Sequence, residues 1–152
     1  AYALLRNGWY TENYLASAPA ALEHGVFIGA AGEGKIASAT RADYAAAAAR
    51  VISEDGHAGK IYELAGDAGW TLSQLAAELA KQSGKKVVYQ NLSEADFAAA
   101  LKGVGLPAGL ADMLADSDVG ASKGGLFDDS HTLSKLIGRP TTSLADSVKS
   151  IV

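Results

Sequence analysis

The residues best suited to chemistry lie close to the start of the chain, in LLRNGWYTENYL, Leu4 to Leu15. An apolar run ends there in Asn7-Gly8 and is followed at once by Trp9 and Tyr10. The Asn7 carboxamide offers both donors and an acceptor, which suits an amide-bearing ligand. Gly8 has no Cβ, so its backbone can approach a ligand or adopt φ > 0. Trp9 and Tyr10 can stack on a flat ring or wall a pocket. Ligands of open α/β sheets bind where loops leave the carboxyl ends of strands, and Asn7-Gly8 lies at such an end. An ordinary turn carrying two core aromatics would use the same residues, and on the residues alone both readings stay open.

Other candidates are weaker. GAAGEGKI, Gly29 to Ile36, nearly spells a phosphate-cradling loop. Ile36 stands where a metal-binding hydroxyl is required, and a β-like run follows Lys35 where a helix should start, so a glycine-rich turn is expected instead. His24, His57 and His131 are far apart and none has a partner at i+3 or i+4, so no metal site is expected. Asp128-Asp129 precede a helix start and suit its positive end.

The elements that must position these residues alternate between strand and helix. Residues 2–10 read as a short buried strand ending in a turn. TENYLASAPAALEHG is helix-compatible, interrupted or restarted at Pro19 and ended by Gly25. VFIGAAGEGKIASAT reads as a hairpin, two apolar arms around a glycine-rich turn. Four segments open with Ser or Thr followed three residues on by an acid or amide: Thr40–Asp43, Thr71–Gln74, Ser93–Asp96 and Ser143–Asp146. In each, the first side chain can accept an orphan backbone N–H and the fourth can reach back, Asp less well than Gln. Apolar residues at helical spacing follow, such as Leu72, Leu75, Ala76 and Leu79, and Phe97, Leu101 and Val104. KIYELAG and KKVVYQNL are strand candidates, PAGLADMLADS a short helix, SKGGLFDDS a loop, and HTLSKLIGRP a helix closed by Gly138 and Pro140. The result is an α/β chain with a few strands and about six helices, too few strands for a complete doubly wound sheet. A first strand at residue 2 needs sheet neighbours that the chain does not obviously supply. It reads as half of a larger unit, and a start at Ala1 agrees with that expectation.

Composition bounds the rest. The 152 residues are 49% hydrophobic, enough for one domain with a core, and the net charge is −4 with scattered basic residues, which argues against a nucleic-acid surface. No apolar run approaches the roughly 20 residues of a membrane helix. There is no cysteine, hence no disulfide framework, and a cytoplasmic protein is expected.

LLRNGWYTENYL, together with TRADYAAAAARVI, YELAGD, LASAPAALEHGVFIGAAG, NLSEADFAAALK and DSDVGASKGGLFDDS, resembles the C-terminal half of the NmrA-like, atypical short-chain dehydrogenase family, in particular its bacterial NAD(P)H:quinone oxidoreductases. The resemblance runs through essentially all of residues 1–152. It implies the C-terminal, substrate-side lobe of a Rossmann-type oxidoreductase whose N-terminal nucleotide-binding half is missing here. It implies NADPH or NADH as cofactor, bound mainly by that missing half, and a small quinone as substrate. No Tyr-x-x-x-Lys proton relay is present, which hydride delivery to an electron-poor ring would tolerate. By resemblance, Asn7, Gly8, Trp9 and Tyr10 lie beside the nicotinamide, with Thr11, Glu12 and Asn13 continuing that wall. Asn7, Trp9, Tyr10 and Arg41 would meet the substrate, Arg41 from the positive end of its helix. The missing Rossmann half would be a partner of the chain; neither nucleic acid nor membrane would be, and the isolated chain would be inactive. A non-catalytic, NADP-sensing NmrA-like regulator is the alternative.

Overall fold

A computed structural model describes residues 1–152, and eight helices alternate with four short strands. In chain order they are β1 (Leu4–Asn7), α1 (Thr11–Leu15), α2 (Ala18–His24), β2 (Val26–Gly29), α3 (Arg41–Ser53), β3 (Ile61–Leu64), α4 (Leu72–Ser83), β4 (Val88–Asn91), α5 (Glu94–Gly103), α6 (Ala108–Ser122), α7 (Thr132–Ile137) and α8 (Leu144–Lys149). The helix count exceeds the expected six partly because TENYLASAPAALEHG breaks at Ala16-Ser17. Pro19 sits in the first turn of α2, where its missing N–H costs nothing.

No strand pairs with its sequence neighbour. β1 pairs in parallel with β3, and β2 in parallel with β4, giving two two-stranded sheets. Parallel pairing needs a crossover, and helices lie between the partners in both cases. Register places Leu5 opposite Tyr62 and Asn7 opposite Leu64, and on that face Leu5, Tyr62 and Leu64 meet a cluster of Tyr44, Ala47, Leu133 and Ile137 from α3 and α7. The other face carries Leu4 opposite Ile61 and Arg6 opposite Glu63. It is bare: Leu4 is 47% and Ile61 58% exposed, and Arg6 and Glu63 form a 2.9 Å surface ion pair. A parallel sheet normally has both faces covered. The strand expected over residues 2–10 is therefore shorter than expected and is not buried, because nothing in these residues lies over its second face.

The hairpin expected over residues 26–40 does not form. Its first arm, β2, pairs with β4 instead. Its second arm is a buried connector stitched to three other segments: Ile36 exchanges both backbone hydrogen bonds with Trp70, Ala37 N–H donates to Leu126, and Ala39 N–H donates to Trp9. Ile36 and Ala39 are fully buried, so the apolar pattern marks burial and not mutual pairing. α6 runs five residues past the expected PAGLADMLADS, because Ala111, Ala115 and Asp118 keep one buried face in helical phase.

All four expected helix starts form, with Thr40, Thr71, Ser93 and Ser143 each accepting the N–H three residues on. Only Thr71–Gln74 closes the full reciprocal box. In the other three the Asp is too short to reach back and takes the cap hydroxyl itself, at 2.6–2.9 Å. Thr71→Ala removes the better cap from the helix carrying Leu72, Leu75 and Leu79 into the main core. Urea denaturation is expected to show a loss of about 1 kcal/mol; an unchanged midpoint would rule the box out as a stabilising element.

Candidate functional site

The loop after β1 is held rigidly. Gly8 N–H donates to Leu64 at 2.8 Å, Ala39 N–H to Trp9 and Thr11 N–H to Ala39, so the chain passes from β1 to α1 without a free turn. Gly8 does not take a positive φ. Its lack of a Cβ serves packing: a methyl group would lie 2.9 Å from the Leu64 carbonyl and 3.2 Å from the Tyr44 hydroxyl. The left-handed turn considered from the sequence is thus corrected to extended pairing against β3.

Beside this loop, at the carboxyl ends of β1 and β3, lies an open cleft of about 380 Å³. Its walls are Arg6-Asn7-Gly8-Trp9, Glu63-Leu64-Ala65 and Gly125–Asp128. Asn7 is exposed, and its Nδ2 donates weakly to the Tyr10 hydroxyl at 3.4 Å, leaving the carboxamide oxygen free. Trp9 and Tyr10 are half-buried, so neither ring is sealed in the core. The Trp9 indole Nε1 is buried with no partner. Being closed off from solvent, that donor is an unsatisfied polar group inside the packing around Trp9.

Arg41 joins this group although 28 positions separate it from Asn13. Its guanidinium lies 5.1 Å from the centre of the Tyr10 ring, its Nη2 donates to Asn13 Oδ1 at 3.2 Å, and its backbone N–H donates to Glu12 Oε1 at 2.9 Å. The second carboxylate oxygen of Glu12 is buried and unpaired. Asn7, Tyr10, Glu12, Asn13 and Arg41 are thus linked, but of the expected site residues only Asn7, Gly8 and Trp9 line the cleft itself. Thr11 does not face it; its hydroxyl is buried against Ser38 at 2.7 Å.

Residues not foreseen complete the surroundings. Phe127 projects from the loop after α6, 44% exposed, with its ring over Gly69. A methyl group on Gly69 would come within 2.7 Å of that ring, so the glycine seats it. Behind Trp9 lies Tyr14, whose ring centre is 6.3 Å away and whose hydroxyl donates to Asp118 at 2.9 Å. Burial pushes the Tyr14 hydroxyl well above the ordinary phenol value, and the Asp118 charge adds to that. Asp118 is itself pushed up by burial, against the opposing hydrogen bonds from Ala30 N–H and Tyr14. The one sequence signal for Asp118 was a lone acid in phase with the buried alanines of α6. Phe127 gave none.

No family model matches the chain. It is 88% identical over 147 residues to quinone oxidoreductase 2 of Escherichia coli, covering 97% of this chain and 51% of that protein. The Escherichia coli NADPH-dependent quinone oxidoreductase structure complexed with NADPH superimposes with a TM-score of 0.97 at 86% identity, over 99% of this chain and 53% of that one. Citrobacter sp. triphenylmethane reductase complexed with NADP(H) matches at TM-score 0.91 and 37% identity, over 97% and 52%. The chain spans about half the length of the relatives it matches. Over nearly all its length the chain is thus similar, in sequence and in fold, to about half of these NADPH-dependent reductases, an α/β part of the kind that the resemblance to the NmrA-like, atypical short-chain dehydrogenase family implies.

Proposed function

We propose that this chain is the substrate- and nicotinamide-side lobe of an NAD(P)H-dependent quinone reductase, with NADPH as the donor. The observation that carries the reading is the open cleft at the carboxyl ends of β1 and β3, walled by Asn7, Gly8 and Trp9. The likeness to NADPH-dependent quinone oxidoreductase supports the same assignment.

The residues present fit a nicotinamide. The free Asn7 carboxamide oxygen matches the ring's amide, and the Trp9 face matches the ring. The chemistry supplied by the bound cofactor is hydride donation. This chain's share would be positioning and water exclusion: Asn7 would hold the amide, Trp9 would wall the ring, and Tyr10, bonded to Asn7 and packed under Arg41, would back that wall. The bare face of β1 and β3 is where the nucleotide-binding half would pack, since Leu4 and Ile61 find no cover within the chain.

The test compares this chain with the complete polypeptide, following reduced-nicotinamide absorbance with a small quinone. The chain alone is expected to give no NADPH-dependent turnover, and turnover by it would overturn the division of labour. The complete protein is expected to oxidise NADPH. Binding without oxidation would favour the NADP-sensing regulator instead. In the complete protein, Trp9→Ala should raise KM for the quinone by up to about tenfold, the upper value of a lost stacking contact. An unchanged KM would remove Trp9 from the pocket wall.

A further inference from the structure

Two carboxylates are almost wholly buried, Asp43 at 0% and Asp118 at 4% exposure. Asp43 has a cation, with Arg139 Nη2 2.7 Å away. Asp118 joins no ion pair. Its Oδ1 accepts from the Tyr14 hydroxyl at 2.9 Å and its Oδ2 from Ala30 N–H at 2.7 Å, both neutral donors. A carboxylate offers about four acceptor positions, so about two stay free. A buried charge is ordinarily paired, and this one lacks its partner.

The space beside Asp118 has the character of the absent partner. A cavity of about 50 Å³ lies between α1, β2, α5 and α6. Trp9, Tyr14, Phe27 and Phe97 line it with Leu101 and Leu114, and no Lys, Arg or His reaches it. Aromatic faces attract cations, most strongly away from water. The volume suits a group about the size of one or two waters, such as a methylammonium head. Asn13 and Ser17 complete the lining as uncharged polar groups, and one turn before Leu114 the surface of α6 is apolar, with Leu110 43% and Met113 51% exposed.

We propose that this cavity binds the ammonium head of a small lipophilic amine, with Asp118 as its counter-ion and the rings of Trp9 and Tyr14 around it. This does not depend on the quinone reading. A purely structural role for Asp118, tying α6 to Ala30 and Tyr14, can be filled by asparagine, whose Oδ1 would accept from Ala30 N–H while its Nδ2 donates to the Tyr14 hydroxyl oxygen.

The probe is N-methylbenzylamine, a cation at neutral pH, against the neutral N-methylbenzamide. The readout is the Trp9 indole signal in a proton–nitrogen NMR titration of the 152-residue chain, assigned with Trp9→Phe. The amine should shift that signal saturably, at least about tenfold more tightly than the amide, the value of one unit charge contact in a partly desolvated site. Asp118→Asn should abolish the preference. Equal binding of the two probes, no saturable shift, or an unchanged preference in Asp118→Asn would overturn the assignment. Should Asp118→Asn not fold, Leu114→Trp fills the cavity with the carboxylate intact. Amine binding is then expected to disappear, and its persistence would equally overturn the proposal.

Discussion

Gly66→Ala is expected to lower stability by about 3 kcal/mol, the upper range for overpacking, and the melting temperature by about 10 °C for a chain of this size. A methyl group at residue 66 would sit 2.0 Å from the Ser38 carbonyl oxygen and 2.9 Å from its carbon. The obstacle is backbone, and it cannot step aside. Gly66 N–H donates to Ala37 at 2.8 Å, Ala37 N–H donates to Leu126, and Ala39 is bonded to both Trp9 and Thr11. Any shift of residues 37–39 is passed to the loop carrying Trp9, so tryptophan emission should change along with stability. Gly103→Ala is the control: open space surrounds that position in α5, and alanine is the better helix former. Calorimetry should show the control at or above the parent melting temperature. If Gly66→Ala melts alongside it, the loop after β3 does not press on the buried connector at Ser38.

The same connector shows where sequence reasoning succeeds and stops. Helix starts at Thr40, Thr71, Ser93 and Ser143 were legible because a cap and its N–H partner lie three residues apart. Asn7 to Tyr10 are legible as one loop for the same local reason, whereas Thr11, Glu12 and Asn13 entered through the family resemblance, and the Thr11 hydroxyl turns inward to Ser38. Arg41 entered through the family resemblance, and its contacts to Glu12 and Asn13 span positions no local pattern links. The residues from Ile36 to Ala39 were misread because apolar alternation records burial without naming the partner, and the partners are Trp70, Leu126 and Trp9. Asp118 meets Tyr14 across 104 positions. Phe127 reaches the cleft only because Gly69 makes room for it. Neither fact has a local signature, so the site's near wall could be read and its far wall could not.

Asp43→Ala is expected to cost about 3 kcal/mol, the lower value for breaking a buried ion pair, since the Arg139 side chain is 49% exposed and can return to water. The loss spreads beyond that pair. Asp43 Oδ2 accepts from Thr142 N–H and the Thr40 hydroxyl, both at 2.9 Å, and so binds the segment before α8 to the start of α3. Asp67 does the same work nearby, accepting from Thr141 N–H at 2.9 Å and from the Ser134 hydroxyl and His131. Burial pushes both carboxyls up, but the hydrogen bonds they receive outweigh it and hold both below the ordinary aspartate value. Each therefore adds stability that is fully present above the unfolded-chain value of about 3.9 and is lost as pH falls through the lower folded value. Asp118 has the opposite sign: its raised value makes its protonated form favour the fold at low pH, and that gain fades as pH rises through the folded value. Thermal melts of the parent should thus weaken below about pH 4, a window in which the Asp118 contribution is already complete and no longer varies. Asp43→Ala should start lower at pH 7 and flatten that acid limb. An equally steep limb in the variant would mean that Asp43 does not hold the C-terminal segment by its charge.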